Sequence, residues 1–134
     1  MKKVCLLFAL LISSSLFLCT QNHLISAELI EDFNEIQIDS FLTEHGITSG
    51  AVLIRNPIKA YKITYSTVSW DSTATVATGV VFLPQGYGAC QKPILNYCHG
   101  TIIKKIDAPS YKVGEYVVGI CFSATGYITV MPDY

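Results

Sequence analysis

The tripeptide His99-Gly100-Thr101 is the part of this sequence whose residue types and position could support catalysis. It follows a short apolar stretch, residues 93–98, of the kind that forms a buried strand of a parallel sheet. Ligands of open α/β sheets bind at the carboxyl ends of the strands. A glycine there lets the backbone turn sharply and aim amide N–H groups into a cleft. Such donors could stabilise the negative charge of a tetrahedral intermediate in acyl transfer.

Three further stretches predict the elements that must position this loop. Residues 61–66 alternate apolar and polar side chains, and a β-branched run over residues 73–83, ending at Pro84, predicts the antiparallel partner across a turn at residues 70–72. Apolar residues at helical spacing between 113 and 124, then an apolar strand at residues 127–131, complete the pattern. The order strand, strand, strand, helix, strand predicts a hairpin followed by a βαβ unit with a right-handed crossover.

The helix ends are predicted from their cap residues. Ser110 is the expected N-cap of the helix before the last strand, and Gly126 its expected end. An earlier short helix within residues 28–57, a segment otherwise read as irregular, is expected to start at Asp39 or Ser40 and to end at Gly46.

Residues 1–27 have the three parts of a secretory signal peptide. Lys2 and Lys3 supply the positive start, an apolar run follows from residue 4 to between 12 and 18, and residues 25–27 offer a small-residue cleavage site. The alternative is an uncleaved anchor, although the run is shorter than the roughly 20 apolar residues of a membrane span. We therefore expect a secreted or periplasmic protein with no stable membrane span after cleavage.

Cysteine usage adds two expectations. Acylation at Cys19, as in a lipoprotein, is disfavoured because the preceding Leu18 is large. Removal of the leader would leave Cys90, Cys98 and Cys121, and an odd number leaves one thiol without an internal partner. Cys98 and Cys121 either pair across the strand–helix contact or remain buried free thiols.

Composition excludes several classes of function. Hydrophobic residues make up 51% of the chain and charged residues 14%, which is typical of a chain that buries a core. No basic patch predicts a nucleic-acid partner. The three histidines lack zinc-ligand spacing, no C-x-x-C is present, and residues 86–88 lack the third glycine of a dinucleotide loop. Neither a metal nor a cofactor is expected.

The chain resembles the N-terminal part of the secretory lipase/esterase group of α/β-hydrolases over residues 58–134. Four stretches carry the resemblance in order, namely residues 61–67 with Asp71, 78–84 (TGVVFLP), 92–101 (KPILNYCHGT) and 126–134 (GYITVMPDY). The resemblance implies an α/β fold that is the incomplete, N-terminal part of an α/β-hydrolase sheet. It also implies an ester or lipid substrate for the complete protein.

The resemblance assigns roles to five residues. His99, Gly100 and Thr101 would form the oxyanion loop, with a backbone amide as donor. Because the loop reads HGT and not HGGG, the donating amide is left open, and the Thr101 hydroxyl could contribute. Asp133 and Tyr134 would be structural residues at the edge of the cleft. His99 is read as a residue that orients its loop rather than one that transfers protons.

No residue of this chain is predicted to be catalytic. In this fold the nucleophilic serine lies in a G-x-S-x-G turn, and no serine here has a glycine two residues before or after it. Nucleophile, acid and histidine are expected beyond Tyr134, so the chain alone should be inactive and its sheet should have an open edge. The alternative is a small exported binding protein that reuses half of the fold, either alone or together with a complementing chain.

Overall fold

The computed structural model describes residues 23–86 and 92–134, which form five strands and two α-helices. In chain order they are β1 (Leu24–Phe33), α1 (Glu35–Glu44), β2 (Ile58–Val68), β3 (Ala74–Pro84), β4 (Ile94–Asn96), α2 (Tyr116–Ala124) and β5 (Ile128–Asp133). Two 3-10 turns, Lys105–Asp107 and Pro109–Tyr111, lie between β4 and α2. Most of the predicted leader, with Cys19, and Cys90 lie outside the described residues.

The five strands form one mixed sheet in the order β1-β2-β3-β5-β4. The pairs β1–β2, β2–β3 and β3–β5 are antiparallel, whereas β4 and β5 are parallel. Strand β5, the last along the chain, is therefore inserted between β3 and β4. This confirms the predicted hairpin followed by a βαβ unit.

Strand β1 was not predicted. It pairs antiparallel with β2 along its whole length, with register shifts at Leu24/Ser26 and Leu29/Glu31. These shifts, together with three acidic residues in the strand, interrupt the alternation of apolar and polar residues that identifies strands in a sequence. The strand also runs through the predicted cleavage site. Cleavage after Ala27 would still leave residues 28–33 to pair with β2.

Helix α1 begins earlier than predicted, because Asn34 and not Asp39 or Ser40 is its N-cap. The Asn34 side chain accepts a hydrogen bond from the Gln37 N–H, and the Gln37 side chain accepts one from the Asn34 N–H, both at 2.9 Å. This reciprocal capping box satisfies two amide donors of the first turn. The predicted end of the helix is confirmed, since Gly46 has a left-handed φ of 81° just after it.

Helix α2 begins later than predicted, and Ser110 does not cap it. Ser110 lies in a 3-10 turn that ends at Lys112, whose φ of 63° stops helical continuation. The regular helix starts at Tyr116, directly after Glu115. The predicted end is confirmed at Gly126, which has a φ of 117°.

Both helices contribute to a core that covers one face of the sheet. Its buried side chains are Ile38, Leu42, Ile58, Ala60, Val80, Phe82, Tyr116, Ile120, Ala124 and Met131. Burying a large apolar side chain stabilises a fold by about 1.5–3 kcal/mol. The carboxyl end of α2 is held as well, because the Ala124 carbonyl accepts hydrogen bonds from the Arg55 N–H (2.9 Å) and the Asn56 side chain (3.2 Å).

Strand β4 is not the buried strand that its apolar sequence predicted. Ile94 is 72% exposed, because β4 is the outermost strand and no described strand lies beyond it. The open edge is therefore at β4. Cys98 and Cys121 are free thiols, so the predicted pairing is absent. Cys98 is exposed, contrary to the expectation of a buried thiol, whereas burial raises the pKa of the Cys121 thiol.

We expect Gly119→Ala to lower the free energy of unfolding. A Cβ at Gly119 would lie 2.2 Å from Phe82 Cε2 and 2.8 Å from Met131 Sδ. Overpacking of this kind costs about 1–3 kcal/mol, whereas alanine gains about 1 kcal/mol over glycine in a helix. The expected net loss in urea denaturation is therefore at most about 2 kcal/mol.

The matched control for this prediction is Gly100→Ala. A Cβ there would meet only the flexible end of Glu115, at 3.1 Å. Its effect should stay within about 0.5 kcal/mol. An unfolding midpoint of Gly119→Ala at or above that of the parent chain would contradict the close helix–sheet contact.

Candidate active site

The predicted oxyanion loop and the predicted cleft-edge residues meet at one edge of the sheet. Strands β4 and β5 are parallel, so the loop after β4 and the end of β5 lie at the same edge. The ring of His99 stacks on the ring of Tyr134, with centroids 4.3 Å apart and planes 8° from parallel. The Tyr134 hydroxyl donates a hydrogen bond to the His99 carbonyl. The structure therefore brings together residues that are 35 positions apart.

The His99 ring is held by its own loop. Its Nδ1 lies 2.6 Å from the Gly100 carbonyl oxygen, which can only accept, so Nδ1 carries the hydrogen and the neutral ring leaves Nε2 as an acceptor. The residue is only 5% exposed, and Nε2 is buried without a partner among the described residues. No carboxylate of the described residues contacts Nδ1, whereas a catalytic histidine needs such a partner to orient it. This geometry favours the orienting role.

The two candidate amides differ in what they contact. The Gly100 N–H donates to the Glu115 carboxylate, with both oxygens at 3.2 Å. The Thr101 N–H has no acceptor among the residues that the structure describes. Of the two amides, that of Thr101 therefore remains without a described acceptor, whereas the Gly100 amide has an anionic partner.

Glu115 is the residue that sequence reasoning missed. It lies 15 positions after Gly100, directly before α2, and belongs to no recognisable motif. Only the path of the chain across the sheet brings its carboxylate to the loop. Glu115 also raises the pKa of Tyr97. The largest cause is the hydrogen bond that Glu115 accepts from the phenol, followed by the loss of hydration on burial and by the negative charge of Glu115.

A cavity of about 300 Å³ lies in front of these amides. It is lined by His99, Gly100, Thr101, Ile102, Asp107, Pro109, Val113, Gly114 and Glu115. All three predicted loop residues thus face one space, which is at the lower end of the size range of ligand pockets. Its only ionisable side chains besides His99 are two carboxylic acids.

Asp133 lies outside this cavity and is fully engaged. One carboxylate oxygen accepts the Ser110 N–H at 3.1 Å, and the other accepts the Thr78 hydroxyl at 2.7 Å. These contacts tie the end of β5 to β3 and to the second 3-10 turn. Both oxygens thus hold neighbouring elements together, and this arrangement favours a structural role at the edge of the cleft.

One serine–histidine contact occurs elsewhere in the described residues. His23 Nδ1 lies 3.1 Å from the Ser66 hydroxyl, at the exposed edge where β1 meets β2. Neither residue lines the cavity, and no described carboxylate contacts His23 to orient it. The pair therefore lacks the third member that activates a nucleophilic serine. In residues 23–86 and 92–134, no cluster of His, Cys, Asp or Glu could hold a metal ion.

Solved structures with a similar fold are hydrolases. A proposed hydrolase from Legionella pneumophila is 28% identical, with a TM-score of 0.68 over 84% of this chain and 30% of its own. The rice cell wall degrading esterase LipA from Xanthomonas oryzae is 18% identical, with a TM-score of 0.66 over 86% of this chain and 29% of its own. No protein-family model and no curated protein matches the chain.

These similarities confirm the fold class predicted from the sequence. The chain is a mixed α/β structure, consistent with part of an α/β-hydrolase fold, and its likeness to LipA concerns the fold alone. It spans about 30% of the length of the structures that it matches. The comparison supports a hydrolase-like fold for the stretch that includes the candidate loop.

We expect Glu115→Gln to lower the pKa of Tyr97 toward its ordinary value of 10.0. The substitution weakens the hydrogen bond from the phenol, which is the largest cause of the raised pKa, and removes the negative charge that disfavours the phenolate. The titration can be followed by NMR of the tyrosine ring carbons.

Asp107→Asn is the matched control, because Asp107 lines the same cavity but does not contribute to the raised pKa of Tyr97. It should leave the titration of Tyr97 unchanged. If the pKa of Tyr97 is the same in Glu115→Gln and in the parent chain, the Glu115 carboxylate does not lie close to the Tyr97 phenol.

Proposed function

We propose that this chain supplies the oxyanion side of the active site in a secreted serine carboxylic-ester hydrolase of the α/β-hydrolase superfamily. The observation that carries the proposal is the Thr101 N–H, which has no acceptor in the described structure and lies in a loop that lines a cavity at the carboxyl end of β4. The hydrolase-like fold of the same stretch supports it. The substrate class would be esters, including lipid esters.

The proposed chemistry is stabilisation of a negatively charged oxygen. When a serine attacks an ester carbonyl, the carbonyl oxygen becomes an oxyanion, and preorganised N–H donors lower the barrier by about 2.7–4 kcal/mol each. Thr101 supplies such a donor from its backbone. The Gly100 amide has a different role, because it donates a hydrogen bond to Glu115 and this contact fixes the loop.

The nucleophile and its base come from residues outside this chain in this proposal. No serine of the sequence lies in a G-x-S-x-G turn. Ser123 is buried, and its hydroxyl contacts the Tyr127 carbonyl at 2.9 Å and the Thr129 hydroxyl at 3.0 Å, so it serves the core and not the cavity. The whole enzyme would need neither metal nor cofactor, since a serine, a histidine and an acid complete the reaction.

A second candidate function is a small exported binding protein that is complemented by another chain. The open edge at β4 favours it. Tyr97 N–H and the Pro93 carbonyl bond to β5, so the backbone groups of Ile94 and Asn96 between them face away from β5. Unpaired groups of this kind are a template for an added strand.

We expect the reading frame beyond the codon for Tyr134 to encode a G-x-S-x-G turn, and the longer product to hydrolyse a short-chain p-nitrophenyl ester. In that product, Thr101→Pro removes the donating N–H and should lower kcat by about 10²–10³-fold. The 134-residue chain alone should show no turnover.

Thr101→Val is the matched control, because it removes the hydroxyl and keeps the amide. It should retain most of the activity, and circular dichroism checks that each variant folds. Equal losses in both variants would assign the donor to the hydroxyl instead. An in-frame stop followed by unrelated sequence would favour the binding protein.

Export is a separate part of the proposal and has its own test. No helix within the described residues is long and apolar enough to span a membrane. We expect mass spectrometry of the exported protein to find Glu28 at its N-terminus, as the small residues at 25–27 predict. A mature mass that still includes Lys2 and Lys3 would contradict cleavage and support the anchor.

A further inference from the structure

A second groove, of about 560 Å³, lies beside the candidate active site. Ile102 lines both spaces and separates them. One wall of the groove is β3, through Val76, Ala77 and Thr78, and the other is the loop that follows the oxyanion tripeptide. Asp133 and Tyr134 lie between the two walls. The groove therefore adjoins the edge of the sheet where the proposed chemistry takes place.

The loop over residues 102–106, called here the rim loop, exposes large apolar side chains to solvent. Ile103 is 96% exposed and Ile106 is 60% exposed. Val76, on the opposite wall of the groove, is 59% exposed. Of these three, Val76 and Ile103 line the groove, so exposed apolar side chains lie on both of its walls. Exposed apolar patches mark surfaces that bind apolar partners.

The charges on the rim loop are positive. Lys104 and Lys105 follow Ile103 along the chain and are exposed, and neither forms an ion pair with a residue that the structure describes. Asp133 also lines the groove, where its carboxylate accepts hydrogen bonds from two neutral donors, and Asp107 lines the other cavity. Because the whole chain has a net charge of −1, this positive charge is a local feature of the loop.

We propose that the rim loop docks this protein onto an anionic lipid surface. Isoleucine side chains flanked by lysines fit the boundary between acyl chains and headgroups, since the apolar groups insert and the ammonium groups stay among anionic phosphates. Charge complementarity is the reason to choose a lipid surface over an apolar protein partner. Docking in this way would place the groove and the adjoining cavity against ester groups in the lipid. That last consequence rests on the proposed hydrolase function, whereas the docking itself does not.

The test is co-sedimentation of the exported chain with vesicles of phosphatidylcholine and phosphatidylglycerol in equal parts, and with vesicles of phosphatidylcholine alone. We expect stronger binding to the anionic vesicles. Lys104→Gln should lower the partition coefficient by about fivefold, the usual effect of one lysine near an anionic surface. Ile103→Ser should lower it by at least about tenfold, because the isoleucine no longer inserts.

Two control variants carry the same types of substitution at positions outside the rim loop. Ile36→Ser changes an isoleucine that is 79% exposed on α1, and Lys59→Gln changes a lysine on β2. Both should bind as the parent chain does. All variants share the same N-terminal residues, so any binding through the apolar stretch at residues 4–18 is equal among them. Ile103 is almost fully exposed, so its replacement should leave folding intact, and circular dichroism checks this.

Three results would overturn the proposal. The first is equal binding to neutral and anionic vesicles, and the second is equal loss of binding in Ile103→Ser and Ile36→Ser. The third is an Ile103-dependent dimer in light scattering that does not bind vesicles, which would make a second copy the partner. Vesicle binding is measured without turnover. A chain that binds vesicles but belongs to no ester hydrolase would therefore refute the proposed function alone.

Discussion

The insertion of β5 between β3 and β4 is the constraint on which the rest of the structure depends. β5 pairs antiparallel with β3 on one side and parallel with β4 on the other. This single placement sets Asp133 against Thr78, Tyr134 against His99, and the segment before α2 against the loop after β4. Without it, the hairpin and the loop would have no common edge, because β3 and β4 do not pair with each other.

Close packing beneath α2 fixes this placement. Gly119 leaves room for Phe82 of β3 and Met131 of β5 to lie directly under the helix. In the same region the buried Ser123 hydroxyl is paired, since it reaches the Phe82 carbonyl at 3.3 Å and the Thr129 hydroxyl at 3.0 Å, whereas the buried Tyr116 hydroxyl has no partner among the described residues. A buried polar group without a partner costs about 1–3 kcal/mol. The close fit of the helix over the two strands therefore leaves one buried hydroxyl of the helix, that of Tyr116, without a described partner.

The candidate site combines one engaged amide with one available amide. Glu115 occupies the Gly100 N–H and so stabilises the turn, while the Thr101 N–H faces no described acceptor. Stacking of His99 on Tyr134 holds the same turn from its other side. A donor that is fixed before the reaction costs no reorganisation when charge develops, which is why a rigid loop is worth more than a mobile one. The rim loop continues from this turn, so any surface that binds it lies next to the donors.

The sequence by itself determined the order of the elements from β2 onward, the turn after β2, the end of each helix and the tripeptide that follows β4. These features depend on local rules, namely side-chain periodicity, glycine in left-handed conformations and the position of ligands at strand ends. Only the tertiary structure decided that β4 is an exposed edge strand, that β1 joins the sheet and that Glu115 holds the Gly100 amide. Burial of β4 depends on which strand lies beside it, β1 contains register shifts, and Glu115 meets Gly100 across 15 residues. Contacts between distant residues leave no periodic trace in a sequence, so the choice between the two amides required the folded chain.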